Sequence, residues 1–451
     1  MKRIKWIYGA LFLTLSLLWA FAEQPWMQHY SFFDLRAALV NYTGILAMGA
    51  MSAAMMLAIR PMSVEPWLGG LDKGYRLHKW LGITGLAAGV VHWLWAEGPK
   101  WAVGWGWLAR PQRGPRPQLD NPVLQSFLEW RGFAEHIGEF AFYTAAVLIV
   151  LALIKRFPYR WFFKTHRVIA AAYLVLAFHA IVLIKFPYWQ SAVAWMMLLL
   201  VAGGTVGAAL SLTRRIGHRR RAPGRIEALD HHTDNHVLKV DVRLDGDIWK
   251  EHDAGQFAFV TFDDGEGAHP FTISSTWTGD GLLHFHIKNL GDYTARLASM
   301  LKPGDRVTVE GPYGCFRFES DKPRQIWVAG GIGITPFMAR MEALARQNPA
   351  AGAGNPPESA VDLFYSTGMP DEAFIARLRR LAEAAGVTLR VIASGRDRKL
   401  DGGSLCAAAP AWRESSLWFC GPAGFGQALR RDLAGRGFDP AHFHQELFDM
   451  R

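Results

Sequence analysis

Six stretches of this chain are nearly unbroken runs of apolar residues, at roughly 5–22, 39–59, 78–95, 136–154, 166–184 and 191–212. Each is close to the ~20 residues a helix needs to cross a hydrocarbon layer ~30 Å thick. Beyond Arg225 the period changes. HVLKVDVRL, GQFAFVTF and LLHFHIKNL alternate or are rich in Val, Phe and Ile, with turn residues between them, and predict short strands in a small barrel. After Lys322, strand and helix patterns take turns: QIWVAG before FMARMEALARQ, VDLFYS before FIARLRRLAEAA, then TLRVIAS, and LWFCGP before FGQALRRDLA. That succession predicts an α/β nucleotide-type domain with a parallel sheet. The chain therefore reads as a multi-domain membrane protein. A six-helix transmembrane bundle occupies 1–212, a basic linker with Ala222-Pro223-Gly224 occupies 213–224, an antiparallel β-barrel 225–320 and the α/β domain 321–451.

Composition and charge sharpen this outline. Hydrophobic residues make up 51% of the chain, with 19 Trp, and the excess lies before residue 213. The net charge of +10 is not a nucleic-acid footprint, because much of it flanks the apolar runs. Lys and Arg crowd the start, Arg60 to Lys79, Lys155 to Arg167 and Arg214 to Arg221, which places both termini on the cytoplasmic side. Lys2-Arg3, an apolar run and Ala20-Phe21-Ala22 also have the form of a cleavable leader, whose loss would leave the remaining orientation unchanged. Cys315, Cys406 and Cys420 form no metal-ligand spacing and no disulfide framework, which fits a reducing compartment for the second half. The segment 96–135, rich in Trp, Pro and Arg, reads as a long outer loop or an interfacial aromatic belt.

Histidines carry the first chemical signal. His78 and His92 lie 14 residues apart in one apolar run, and His166 and His179 lie 13 apart in another. Intramembrane histidines are costly and mark function more often than packing. At ~1.5 Å per residue each pair spans roughly 20 Å, one ring toward each face of the membrane. Two parallel helices then offer His78 with His166 at the cytoplasmic end and His92 with His179 at the outer end. Imidazole is a usual axial ligand of haem iron, so the expectation is two stacked haem b groups. A 13-residue step turns a helix face roughly 140° away, so the second helix needs a local irregularity, a twist or a different ring placement. His136 lacks a partner at helical distance and reads as supporting structure.

A second signal lies in the soluble half. Ala329-Gly330-Gly331-Ile332-Gly333-Ile334-Thr335-Pro336 follows an apolar strand and opens a helix, where backbone N–H groups and the helix N-terminus favour phosphate. HPFTISS (269–275), IKNLGDYT (287–294) and GPYG (311–314) add a loop after a strand, a cation beside a hydroxyl, and a tight turn.

The order HPFTISS, IKNLGDYT, GPYG, AGGIGITP, CGP (420–422) and terminal HQELFDMR resembles the ferredoxin-reductase-like flavoprotein module. With six spans and paired histidines ahead of it, the whole chain resembles the ferric reductase and NADPH oxidase superfamily, in its bacterial form. The resemblance implies FAD and either NADPH or NADH as cofactors in a multi-pass protein of a bacterial-type inner (plasma) membrane. It implies that His269, Pro270, Phe271 and Thr272 hold the flavin ring, with Thr272 or Ser274 near its reactive edge. Lys288, Gly291, Tyr293 and Thr294 would bind the FAD phosphates. Gly331, Gly333, Thr335 and Pro336 would meet the nicotinamide nucleotide, and Cys420, Gly421 and Pro422 the nicotinamide. Phe448 matches an aromatic that stacks on the flavin, although the chain continues three residues past it, as oxidases usually do not.

These residues imply electron transfer from cytoplasmic nicotinamide dinucleotide through flavin and two haems to an extracytoplasmic acceptor, either a ferric chelate or oxygen. Arg76 and Arg167 are either haem propionate partners or solvated flanking charges, and Ser366 and Arg396 lie where a 2′-phosphate would be met. An alternative reading is a diheme subunit delivering electrons to a quinone or partner protein. A third, a non-redox membrane protein with a degenerate reductase tail, is opposed by the intact HPFT, GGIGITP and CGP segments.

Overall fold

The computed structural model describes residues 2–27, 30–110, 120–154, 156–347 and 361–446. The chain divides into two compact units, the first essentially residues 1–216 and the second essentially 217–450. In the first unit the helices are α1 (Lys2–Glu23), α2 (Phe32–Ala58), a single turn α3 (Glu65–Leu68), α4 (Leu71–Gly104), α5 (Pro122–Leu153), α6 (Tyr159–Leu183) and α7 (Ala192–Leu212). Among the described residues α1, α2, α5, α6 and α7 are long and apolar enough to cross a membrane. The expected count of six is thus met by five on hydropathy. The fall-short is α4, whose first turns carry Asp72, Lys73, Arg76 and Lys79 and whose last carry Glu97 and Lys100.

Helices α4 and α5 also extend well beyond the apolar runs 78–95 and 136–154. Most of the expected 96–135 loop is helical, because charged turns continue both helices past the apolar core. Asn121 starts α5 by accepting from the N–H groups of Val123 and Leu124, with Pro122 where a missing N–H costs nothing. Small residues let the helices approach. Leu15 of α1 is fully buried where a Cβ on Gly49 of α2 would stand 2.5 Å from its Cδ1. Glu23, directly after Ala20-Phe21-Ala22, is buried and takes hydrogen bonds from Lys185 Nζ (2.7 Å) and Tyr188. That ion pair ties the end of α1 to the α6–α7 connection.

In the second unit, strands β1 (Arg221–His232), β2 (Val237–Leu244), β3 (Phe257–Phe262), β4 (His269–Thr272), β5 (Leu282–Lys288) and β6 (Arg306–Tyr313) form an antiparallel sheet in the order β4-β3-β6-β1-β2-β5, with helix α8 (Asp292–Met300) after β5. Alternation in β2 buries Val240 and Val242 against Phe285 and Leu283. Where a barrel is expected, the edges of this sheet approach at one isolated antiparallel bridge, Ile273 to Phe285. Ala222-Pro223-Gly224, read from sequence as linker, already belongs to β1. Pro223 sits where β1 pairs only with β6, so its missing N–H breaks no ladder, and Gly224 passes so close to β2 that a Cβ would lie 2.6 Å from the Arg243 carbonyl oxygen.

The remaining strands β7 (Arg324–Gly330), β8 (Val361–Thr367), β9 (Thr388–Ala393), β10 (Ser415–Cys420) and β11 (Phe443–Gln445) form a parallel sheet in the order β11-β10-β7-β8-β9. Around it run α9 (Thr335–Gln347), α10 (Glu372–Ala384), α11 (Gly402–Ala408) and α12 (Ala423–Gly435). The three cysteines are free thiols.

Candidate electron-transfer sites

The four histidines meet in the two expected pairs. The ring centroids of His78 (α4) and His166 (α6) are 5.8 Å apart, and those of His92 (α4) and His179 (α6) are 6.2 Å apart. Helix α6 is regular throughout, so ring placement answers the 13-residue step. His179 leans into the α5–α6 groove over Gly138, where a Cβ would stand 2.0 Å from its Nδ1. His92 lies against Gly44 of α2, with 3.3 Å to a Cβ there.

Three of the rings are held by main chain. His78 Nδ1 donates to the Ala54 carbonyl (2.9 Å), His92 Nδ1 to Val40 (2.9 Å) and His179 Nδ1 to Ala134 (2.8 Å). A carbonyl can only accept, so each Nδ1 carries the proton and each Nε2 keeps its lone pair. A histidine that ligates a metal through Nε2 needs that tautomer. His166 differs: its buried Nδ1 has no hydrogen-bond partner among the described residues, and its ring stacks on Phe162 at 5.1 Å. His136 Nδ1 turns back to Gly132 of its own helix at 2.6 Å. Among the described residues no cluster of three or more His, Cys, Asp or Glu suits a metal, so any metal held here would need other donors besides the imidazole pair.

A cavity of about 410 Å³ opens between His92 and His179. Arg36 and Arg131 line it, and both are anchored. Arg36 donates to the carbonyls of Trp95 (3.1 Å) and Ala96 (2.7 Å), and Arg131 donates to Leu183 (3.2 Å). Each guanidinium keeps further N–H donors. These arginines, the carbonyl partners and the two glycines escaped sequence reading. The glycines left a faint signal, small residues inside apolar runs.

In the second unit, His269 stacks on Tyr293 at 4.1 Å, and the Tyr293 hydroxyl donates to Asp264 (2.7 Å). Burial pushes His269 down to about 4, and burial with the Asp264 carboxylate pushes the Tyr293 phenol up, so both rings are neutral near pH 7. Pro270, Phe271 and Thr272 follow on β4. Ser274 is buried and faces inward. Its hydroxyl donates to the His284 carbonyl (2.9 Å), so it accepts from His286 Nδ1 (2.7 Å). Gly291 and Thr294 cap α8, with Thr294 Oγ1 accepting from the N–H groups of Leu290 and Gly291.

The glycine turn and the CGP segment interlock. Gly331 has φ +56°, a Cβ on Gly333 would lie 2.2 Å from the Cys420 carbonyl oxygen, and one on Gly330 would lie 2.7 Å from Pro422. Thr335 and Pro336 are buried at the start of α9, and Thr335 Oγ1 donates to Ile332 (3.1 Å). Lys288 Nζ stands 3.9 Å from where a Cβ on Gly331 would be, so the strand end of the antiparallel sheet reaches the glycine turn of the parallel one. Burial pushes the Cys420 thiol well up, with Glu446 adding to it, which makes Cys420 a neutral thiol and no nucleophile. Buried Glu446 went unread in the sequence. Arg396 is paired with Glu372 at 2.8 Å, both exposed, and Ser366 lies near the end of β8. Phe448 lies outside the described residues.

Residues 43–177 match the family described as ferric reductase like transmembrane component, and residues 228–317 match an FAD-binding domain family. The architecture is that of a ferric reductase-like transmembrane flavoprotein. The ferric reductase-like match contains His78, His92 and His166 and stops two residues before His179. The flavin match contains 269–274, Lys288, Gly291, Tyr293 and Thr294. The chain is similar to the toluate 1,2-dioxygenase electron transfer component of Pseudomonas putida, 26% identical over 209 residues, 43% of this chain and 58% of that protein. It is also similar to the ferredoxin–NAD(+) reductase component of the alkene monooxygenase system of Xanthobacter autotrophicus, 31% identical over 182 residues, 38% of this chain and 53% of that protein. This ferric reductase-like chain spans about half the length of the curated relatives it matches. Among solved structures, the ferredoxin reductase in carbazole 1,9a-dioxygenase is 19% identical with a TM-score of 0.42, covering 51% of this chain and 69% of that one.

Proposed function

We propose that this chain is a transmembrane oxidoreductase that moves electrons from cytoplasmic NADPH or NADH, through FAD and two haem b groups, to a ferric chelate or oxygen on the outer side of a bacterial-type inner membrane. The observation that carries the reading is the spacing of the imidazole pairs. A ligating nitrogen sits ~2 Å from its metal and the ring centre roughly 1 Å further, so two rings sharing one metal stand roughly 6 Å apart. Both pairs fit, at 5.8 and 6.2 Å. The cavity between His92 and His179 also falls in the ~300–1,000 Å³ range of cofactor sites.

Helix α4 serves as the sixth span. Between Lys79 and Glu97 its only ionisable side chain is His92, and those intervening residues cover roughly 25 Å. The basic clusters then set both termini in the cytoplasm.

NAD(P)H gives a hydride that bound FAD accepts and passes on as single electrons, and haem iron carries one electron at a time. The chain does the positioning. His78 and His166 would hold the inner haem, and His92 and His179 the outer. Were each imidazole pair to hold one iron, no position would be left for the acceptor, which would be reduced without binding the metal. The Ala54, Val40 and Ala134 carbonyls fix the ring tautomers, and Arg36 and Arg131 would offer donors to the macrocycle's carboxylates. Tyr293, Thr294 and Lys288 would receive the FAD phosphates, His269 and Thr272 the ring system, and Gly331 and Gly333 the nicotinamide dinucleotide.

A reduced-minus-oxidised spectrum of the purified protein, with NADPH or NADH as reductant, tests the route. Two low-spin haem signals are expected. The variant His92→Ala should lose ferric citrate reduction while NAD(P)H oxidation by a flavin-directed dye persists. Unchanged ferric citrate reduction in that variant would refute the outer ligand assignment. Running the ferric citrate assay with and without oxygen and superoxide dismutase then identifies the acceptor.

A further inference from the structure

Between the last residue of α7, Leu212, and the second unit runs a connector of four residues, 213–216. Arg214 within it has φ +59°, and Gly217 directly after it has φ +69°. From Gly217 onward the chain is fastened to one side chain. Glu310 of β6 is 3% exposed and lies directly opposite Arg221 in the β1–β6 register. Its Oε2 accepts from Arg221 Nε at 3.0 Å and its Oε1 from the Tyr313 hydroxyl at 2.9 Å. Gly217 lies flat on the same carboxylate, where a Cβ would come within 2.1 Å of its atoms. Arg220 adds a second tie, donating to the Pro312 carbonyl at 3.3 Å with its guanidinium 5.3 Å over the Tyr313 ring. Tyr313 and Pro312 belong to the Gly311–Gly314 turn, so the basic stretch from Gly217 to Arg221 is clamped to β6 and the turn that follows it.

We propose that Glu310 is a positioning residue for the electron step out of the flavin domain, fastening Gly217 and Arg221 so that the tether from α7 stays short. This inference rests on the route proposed above. Each NAD(P)H yields NAD(P)⁺, one proton and two electrons, and the two electrons leave the flavin domain one at a time, so each turnover makes the inter-unit step twice. With the clamp in place, Leu212 and Gly217 are five Cα steps apart, at most ~18 Å. Without it the first remaining tie is Arg220 on the Pro312 carbonyl, eight steps from Leu212. Effective concentration falls roughly as the −3/2 power of tether length, so lengthening it from five steps to eight lowers it about twofold.

The test uses the full chain in detergent or nanodiscs, with Glu310→Gln and, as a second variant on the half-exposed partner, Arg221→Gln. Mass spectrometry reads tryptic cleavage within Arg214–Arg221, stopped-flow absorbance reads haem reduction by NAD(P)H, and a soluble dye reads flavin turnover. In both variants cleavage should quicken and haem reduction slow about twofold, with dye reduction, FAD content and nucleotide KM unchanged. Cleavage at the wild-type rate would overturn the clamp. Faster cleavage with wild-type haem reduction would overturn its positioning role, and so would an equal loss in dye reduction, which would show a general structural defect. Should the wild-type protein show no haem bands, the electron route fails while the cleavage comparison still decides the clamp.

Discussion

Replacing Gly138 by alanine is the sharpest challenge to the outer histidine pair. In most helix interiors the change is favourable, since alanine exceeds glycine by up to ~1 kcal/mol in helix propensity. Here the added methyl would stand 2.0 Å from His179 Nδ1 and 2.5 Å from its Cγ, against 3.4–4 Å for ordinary contact. The ring must retreat by about 1.4 Å, the difference between 3.4 and 2.0 Å. That retreat breaks the 2.8 Å bond to the Ala134 carbonyl. Forcing extra volume into a packed site costs ~1–3 kcal/mol, and a lost hydrogen bond ~1 kcal/mol more, which together outweigh the propensity gain. Losing a ligand's supporting partner lowers metal affinity by ~10–100-fold. A pyridine haemochrome assay should therefore fall from two haems per chain toward one, with the remaining signal assigned to the inner pair. Gly132→Ala on the same helix is the control, because a Cβ there meets nothing within 4 Å. Two haems with unaltered low-spin EPR in Gly138→Ala would refute the assignment of His179.

Two further outcomes test the soluble half. Gly333→Ala drives a methyl into the Cys420 carbonyl oxygen, 2.2 Å away and part of the backbone, so NAD(P)H turnover with a soluble dye should fall at least tenfold in kcat/KM while FAD content stays intact; undiminished kcat/KM would show that this turn does not meet the nucleotide. His286 is held neutral, pushed down to about 3 chiefly by burial and then by Arg377, Lys239, His232 and His284. The unfolded chain takes up a proton near pH 6.5 that the folded one refuses, so this contribution to stability is complete above that pH and is lost as pH falls toward 3. At pH 5 the loss is on the order of 2 kcal/mol. Thermal release of FAD fluorescence should show it, and His286→Asn should flatten the pH profile; a variant as acid-sensitive as the parent would exclude His286 as the cause.

Periodicity carried most of the architecture. The alternation in Val237–Leu244 and the strand–helix succession after Lys322 predict the two sheets, because one buried face imposes a period of two and crossovers impose parallel order. Helix ends were less legible: α4 and α5 run on through Lys100 and Asn121's neighbours, since hydropathy marks the lipid layer and not the end of hydrogen bonding. The histidine pairs were readable from spacing, but their orientation was not. It depends on Gly44, Gly138 and three main-chain carbonyls, groups that any apolar helix presents. Ser274 shows the opposite failure, a hydroxyl in the right motif that turns inward to His286. Pro223 and Gly224 looked like linker because the same two residues also serve a strand that starts one-sided and crosses close to its neighbour.

Lys288 stands at the seam between the antiparallel sheet and Gly331 of the glycine turn. On the proposed route one ammonium placed there would answer to two phosphate-bearing guests, so each would change the welcome the other receives. A resident flavin would already have drawn the charge to itself, leaving the incoming dinucleotide to rely on main-chain N–H groups and so to bind loosely and leave quickly. Weak retention of the spent carrier would suit the proposed route, in which two electrons leave singly before the next delivery.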